Sequence, residues 1–183
     1  DILKIWQGGL GIWGAITLGG VGAFATYLRL ERTRNLPQFR YFADAVAPGI
    51  IFAQAIGRWG NWFNAELFGK PTTLPWALEV SDRKTLSAGF QVGTTFHPTF
   101  LYESLGCFLL CAVVIAVDKR VPLRNGRLFF VYSAGYTFMR FFIEGLRVDE
   151  AHKAAGLRLN QWVSLGVFAV SVGVLVYEWR WRR

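Results

Sequence analysis

Leu10-Gly11-Ile12-Trp13-Gly14-Ala15-Ile16-Thr17-Leu18-Gly19-Gly20-Val21-Gly22-Ala23-Phe24-Ala25-Thr26-Tyr27-Leu28 contains no charged residue. A helix of about 20 residues crosses a hydrocarbon core of roughly 30 Å, so this stretch is long enough to span a bilayer. Its glycines at 11, 14, 19, 20 and 22 let neighbouring helices approach closely. Four further windows, near 39–57, 98–117, 127–146 and 160–179, are also long and apolar. The expected fold is an all-α, polytopic integral membrane bundle of about five transmembrane helices. Composition agrees: 53% hydrophobic residues, eight Trp, sixteen Phe and a mean hydropathy of +0.31 depart from the balance of soluble domains.

Basic residues orient the spans. Arg29, Arg32, Arg34 and Arg40 follow the first window, Lys119, Arg120, Arg124 and Arg127 the third, and Arg180, Arg182 and Arg183 the fifth. The positive-inside rule makes these segments, and the C-terminus, cytoplasmic. Segments 58–97 and 147–159 mix fewer basic residues with Glu66, Glu79, Asp82, Asp149 and Glu150, and are expected outside. The net charge of +8 is then an orientation signal with some attraction to anionic lipid, and it argues against nucleic acid as a partner. Between the second and third spans, residues 70–97 read as an ordered outer loop, with Trp76-Ala77-Leu78-Glu79-Val80 marking a short hairpin. Residues 1–183 form one membrane domain on this reading. The chain opens on an interfacial-looking Asp1-Ile2-Leu3-Lys4-Ile5-Trp6 without an initiator Met, and is expected to be the C-terminal portion of a longer chain.

Charge interrupts two of the spans. Asp44 lies in the second, where with Pro48 and Gln54 it is expected to bond another helix, and Arg140 and Glu144 lie in the fourth. An ionisable residue at membrane depth is costly, so it marks a functional site when partners can be named. Tyr136, Arg140 and Glu144 are spaced i, i+4, i+8 and share one helical stripe. Arg140 lies about 20 Å from the inner end of its span at 1.5 Å per residue, with Glu144 and Arg147 nearer the outer surface. The second span runs outward to Arg58, and the third runs inward from His97-Pro98 past Tyr102 and Glu103. Trp13 falls near the outer end of the first, so four segments converge at one depth. Taken alone, Arg140 and Glu144 read equally well as an ion pair that holds helices together. With Arg58 at the same level, two guanidiniums resemble a phosphate clamp, because the planar fork matches phosphate oxygens and stays charged.

Gly57-Arg58-Trp59-Gly60-Asn61-Trp62-Phe63-Asn64-Ala65-Glu66-Leu67-Phe68-Gly69 resembles the G-R-x-G-N-F-x-N-x-E-x-x-G signature of bacterial prolipoprotein diacylglyceryl transferases. His97-Pro98-Thr99-Phe100-Leu101-Tyr102-Glu103 is similar to that family's H-P-[ST]-x-L-Y-E segment. Gly135-Tyr136, Arg140, Glu144 and Arg147 resemble its G-Y-x-x-x-R-x-x-x-E-x-x-R helix. The likeness covers essentially the whole chain, although the family usually carries further N-terminal spans. One departure is chemical. Gln7-Gly8-Gly9-Leu10-Gly11-Ile12-Trp13-Gly14 resembles a family segment ending in His-Gly, with Trp13 in place of the His, and an indole cannot act as a general base.

The resemblance implies transfer of the diacylglyceryl group of phosphatidylglycerol to the lipobox cysteine of a prolipoprotein, with a thioether formed and glycerol phosphate released. This is a step of lipoprotein biosynthesis at the bacterial plasma membrane, with the site toward the outer leaflet. The implied partners are phosphatidylglycerol and the prolipoprotein signal peptide, and the expected state is a monomer. Arg58 and Arg140 would stabilise the phosphate that leaves as an anion, with Arg58 the first candidate for binding it. Asn61 and Asn64 would donate to phosphate or glycerol oxygens, and Gly60 and Gly69 would let the backbone approach. Glu66 would position Arg58 or the loop, and Tyr136 would donate on the phosphate side. The thiol, with a pKa of about 8.5, needs no dedicated base near cations, or Glu144, Glu103 or His97 serves as one.

Several residues carry a plainer alternative. His97 before Pro98 suits loop hydrogen bonding or capping, while Tyr102 and Glu103 suit tying the third span to the Arg-bearing ones. Cys107 and Cys111, at i and i+4 in an apolar span, read as small hydrophobes. The sequence has no Gly-rich nucleotide loop or paired-His metal motif, so neither a cofactor nor a metal is expected. Two other classes remain open. A secondary transporter for an anion would usually show a repeated half, and a lipid-binding subunit would not need Arg58, Asn61, Tyr136 and Arg140 at one depth.

Overall fold

A computed structural model describes residues 12–121, 126–149, 151 and 153–180, with the side chains of 12–17, 178 and 179 outside that description. Residues 1–11, Arg124, Glu150, Arg182 and Arg183, to which the sequence assigns interfacial and orienting roles, therefore lie outside it. Among the described residues the chain is mainly helical: α1 (Ile12–Arg34), α2 (Phe39–Gly57), α3 (Trp59–Phe63), α4 (Asp82–Ser87), α5 (Thr99–Arg120), α6 (Arg127–Leu146) and α7 (Leu159–Arg180). Two-residue strands β1 (Leu78–Glu79), β2 (Thr95–Phe96), β3 (Lys153–Ala154) and β4 (Leu157–Arg158) complete it. Each expected window coincides with a long helix. Two of them, Thr99–Arg120 and Leu159–Tyr177, are long and apolar enough to cross a membrane.

Helices α2, α5 and α6 pack around one core, and α7 packs along α6. The core side of α2 is Ala47, Ile51 and Ala55, spaced four apart, and it meets Cys107, Cys111 and Val114 of α5 and Leu128 and Tyr132 of α6. Both cysteines are free thiols buried in this core, as the sequence led one to expect. Glycine sets the spacing of α5 and α6. A Cβ on Gly135 would lie 2.5 Å from Leu110 Cδ1, and one on Gly106 would overlap Met139 Sδ. The outward faces are apolar too. Leu105 and Leu109 of α5, Phe138 and Phe142 of α6 and Val170 of α7 are each more than half exposed, a pattern that soluble monomers avoid.

Asp44 bonds across helices and caps α6 from outside. Gly126, at φ +86°, precedes α6 and offers no side chain for its amides. The Asp44 carboxylate of α2 accepts from Gly126 N–H at 2.8 Å and Phe129 N–H at 3.0 Å. It thereby satisfies amides that a helix start leaves bare and places negative charge at the positive end of the helix dipole. Gln54 makes a second interhelical bond, accepting from the Tyr132 hydroxyl at 3.2 Å.

The loop of residues 70–97 is ordered, but its strands do not form a tight hairpin. β1 pairs antiparallel with β2, Leu78 opposite Phe96 and Glu79 opposite Thr95, with α4 inserted between them. Phe96 is fully buried against Phe68 and Phe90 and holds the loop down. Asp44→Ala should destabilise the bundle by about 1–2 kcal/mol through loss of the α6 cap, and Asp44→Asn by less. Thermal unfolding of the purified protein in detergent measures both, and equal stability of Asp44→Ala and wild type would contradict the capping role.

Candidate active site

The α2–α3 junction places the first functional side chain. Arg58 keeps helical backbone angles, φ −64° and ψ −23°, and closes α2 through Arg58 N–H to Gln54 O at 3.2 Å. Trp59 then ties α3 to α5 by donating to Ser104 Oγ at 3.2 Å, and Ser104 donates to Ala55 O at 2.8 Å. This fixes the direction in which Arg58 leaves the bundle.

Three helices bring their polar residues to one carboxylate. Glu103 of α5, only 3% exposed, lies 2.9 Å from Arg58 Nη2 through Oε1 and accepts from Arg140 Nη1 at 2.8 Å through Oε2. The Tyr136 hydroxyl accepts from Arg58 Nη2 and donates to Glu103 Oε1, both at 3.1 Å. Both Arg58 contacts use Nη2, and among the described residues its Nε and Nη1 have no partner. With 23% of its side chain exposed, Arg58 can offer those donors to an anion.

A second carboxylate continues the network. Glu144 is fully buried and accepts from Arg140 Nη2 at 2.7 Å, Arg147 Nη1 at 3.4 Å and Asn160 Nδ2 at 3.2 Å. Arg158 Nε lies 3.0 Å from Glu144 Oε1 but without the alignment of a hydrogen bond. Arg147 grips Asp149 through Nε and Nη2, and Arg158 Nη2 reaches the same carboxylate at 2.8 Å. Four guanidiniums thus face three carboxylates, an excess of one positive charge in a largely buried cluster. That balance suits a singly charged anion such as a phosphodiester.

Comparison with known proteins gives the chain's family. The family model for prolipoprotein diacylglyceryl transferase matches residues 1–177. The chain belongs to the prolipoprotein diacylglyceryl transferase family. It is 54% identical over 176 residues to a phosphatidylglycerol–prolipoprotein diacylglyceryl transferase of Streptomyces griseus, covering 96% of this chain and 51% of that protein. It is 57% identical over 175 residues to the second such protein of Streptomyces coelicolor, covering 95% and 53%, and 52% identical over 172 residues to that of Cutibacterium acnes, covering 94% and 56%. The chain spans about half the length of the curated relatives it matches.

Within this chain, the residues expected at the site fall into two groups. Arg58, Glu103, Tyr136, Arg140, Glu144 and Arg147 join one network, as described. The others lie outside it. Asn64 Nδ2 donates to Glu66 Oε1 at 3.2 Å, so Glu66 orders the loop, whereas the carboxylate beside Arg58 is Glu103. Asn61 is half-buried, its backbone oxygen accepting from Glu66 N–H at 3.0 Å. Gly69 is buried against the chain itself, since a Cβ there would lie 2.7 Å from His97 Cβ. His97 Nδ1 meets the Tyr102 hydroxyl at 3.0 Å, and that hydroxyl accepts from Trp76 Nε1 at 2.9 Å, which makes both members of a network with the loop of residues 70–97. Trp13 belongs to α1, and its side chain lies outside the described residues.

Arg158 and Asn160 went unread in the sequence, and Asp149 read only as an outer-loop charge. Their one signal is the polar run Arg158-Leu159-Asn160-Gln161 at the head of an apolar helix, which resembles ordinary interfacial sequence. Glu144→Leu should cost about 3–5 kcal/mol, because it strands buried guanidiniums, and Asp149→Leu less, its side chain being 32% exposed. Unfolding midpoints in detergent rank the two, and an equal or smaller loss for Glu144→Leu would contradict its place at the centre of the network.

Proposed function

We propose that this protein transfers the diacylglyceryl group of phosphatidylglycerol to the lipobox cysteine of a prolipoprotein. It does so as a single multi-pass domain in the bacterial plasma membrane, acting as a monomer. On this reading α1, α2, α5, α6 and α7 are the spans of this chain, the C-terminus is cytoplasmic and the Arg58 cluster faces the outer leaflet. The basic residues after α1, α5 and α7 support the orientation, and the exposed apolar faces of α5, α6 and α7 support the embedding. The relatives' names supply the substrates.

The observation that carries the chemistry is the sharing of Glu103 by Arg58 and Arg140, with Nε and Nη1 of Arg58 left without a partner among the described residues. The phosphate of the lipid binds at those donors, beside the Tyr136 hydroxyl. The cysteine, having lost its proton to water, attacks the glycerol carbon that bears the phosphate. A carbon–sulfur bond forms, the carbon–oxygen bond breaks, and the electron pair leaves on glycerol phosphate. Charge grows on the leaving oxygen in the transition state, where cations already fixed in place stabilise it most. Glu103 and Glu144 hold those cations without solvent reorganisation. Asn61 of α3 and Asn64 just after it contact phosphate or glycerol oxygens.

Release of glycerol phosphate from phosphatidylglycerol vesicles, with a lipobox peptide carrying Cys or Ala, tests this reading. Release should require the peptide cysteine and fall by about 100-fold or more in Arg58→Ala and Arg140→Ala. Arg58→Lys should recover little, since a point charge does not reproduce the fork. Cysteine-independent release, or wild-type turnover by Arg58→Lys, would refute the clamp.

A further inference from the structure

The loop that follows Asn61 of α3 and carries Asn64 and Glu66 contains two backbone conformations that L-residues avoid, Ala65 at φ 45° and Leu67 at φ 59°. Neither residue is Gly or Asn, so each stores strain that its surroundings must hold. One side of the loop is zipped to the end of α6. Lys70 N–H donates to Leu146 O at 2.8 Å, Val148 N–H to Phe68 O at 3.4 Å, and Gly69 bridges to Arg147.

Two side chains hold the other side: Thr99 Oγ1 donates to Leu67 O, and Lys84 holds the residues just before it. Lys84 of α4 donates its ammonium to Asn64 O and to Ala65 O, the latter at 3.0 Å. It reaches across a cavity of about 400 Å³ whose walls include Glu66, Phe68, Ala88 and Asp149. α4 is itself anchored by Thr85, 1% exposed, whose hydroxyl lies 3.2 Å from Val80 O and Ser81 O. The chain of contacts then runs inward: Asn64 donates to Glu66, and Glu66 N–H donates to Asn61 O.

We propose that Lys84 is a positioning residue that holds the left-handed turn at Ala65, beside the Leu67 that Thr99 holds, and thereby presents Asn61 and Asn64 to the lipid phosphate. The inference rests on the transferase reading for its substrate, but the clamp is a property of the loop and is measurable without turnover. Two carbonyls converging on one point repel each other unless a cation lies between them. With three donors on one nitrogen, the ammonium satisfies both. Without it, the turn relaxes toward negative φ and the two asparagines lose their register.

The test compares Lys84→Met, Lys84→Arg and the double variant Lys84→Met/Ala65→Gly in vesicles containing phosphatidylglycerol. Hydrogen exchange at the amides of residues 65–67 should accelerate by about tenfold in Lys84→Met. The KM for phosphatidylglycerol should rise by about fivefold or more while kcat changes less. Lys84→Arg should restore most of both. Ala65→Gly in the Lys84→Met background should restore about half or more, because glycine takes positive φ without strain. Unchanged exchange and KM in Lys84→Met would overturn the clamp, as would a loss that neither Arg nor the glycine relieves. A wild-type protein that releases no glycerol phosphate would instead count against the transferase reading, and the exchange comparison would still decide the clamp.

Discussion

Glu103 carries a carboxylate into the interior of a helical bundle, and two guanidiniums from different helices close on its two oxygens. Each of these charges would be expensive there alone, and truncating one partner of such a set leaves the others buried and uncompensated. The interaction therefore fixes more than a local contact. It holds the C-terminal end of α2, the first turns of α5 and the C-terminal half of α6 in a single arrangement. Glu144 repeats the device one turn further along α6, drawing in Arg147 and Arg158 so that the β3–β4 segment and the head of α7 join the same network.

The two ends of the bundle are built on different physics. Toward the start of α6, small and apolar side chains interlock, glycine lets α5 and α6 approach, and Asp44 supplies the missing cap. Toward its end, packing gives way to ion pairs whose geometry is narrower than that of apolar contacts. A site assembled this way is preorganised: its guanidinium donors are fixed in place by buried carboxylates, and the described cluster carries one positive charge in excess. The strained turn at Ala65 and Leu67 precedes backbone bonds from Phe68 and Lys70 to the same end of α6 that carries the cluster.

Much of this was legible in the residues. The windows at 39–57 and 127–146 coincide with α2 and α6 despite their interrupting charges, because the apolar stretch and the flanking Pro and Gly both limit a span. The i, i+4, i+8 spacing of Tyr136, Arg140 and Glu144 put them on one stripe, and counting depth brought Arg58 beside them. Depth, however, says nothing of azimuth. Tyr102 and Glu103 are adjacent in sequence and lie at the same level, yet one turns to the loop of residues 70–97 and the other to the cluster centre. Glu66, next in the motif, was an equally good candidate to hold Arg58 until the fold brought α5 closer. Arg158 illustrates the harder limit: an arginine before an apolar helix is common at interfaces, and only tertiary packing reveals that this one is buried. Lys84 is likewise separated from the loop that it holds by an ordered excursion that no local pattern encodes.

If the two guanidiniums act on one phosphate through their shared carboxylate, they should fail as a unit. The decisive measurement is a double-mutant cycle on cysteine-dependent glycerol phosphate release, with Arg58→Ala, Arg140→Ala and the double variant compared in phosphatidylglycerol vesicles. The account predicts strong non-additivity, with the double variant within about tenfold of the worse single one. Losses that multiply, as for independent sites, would contradict it.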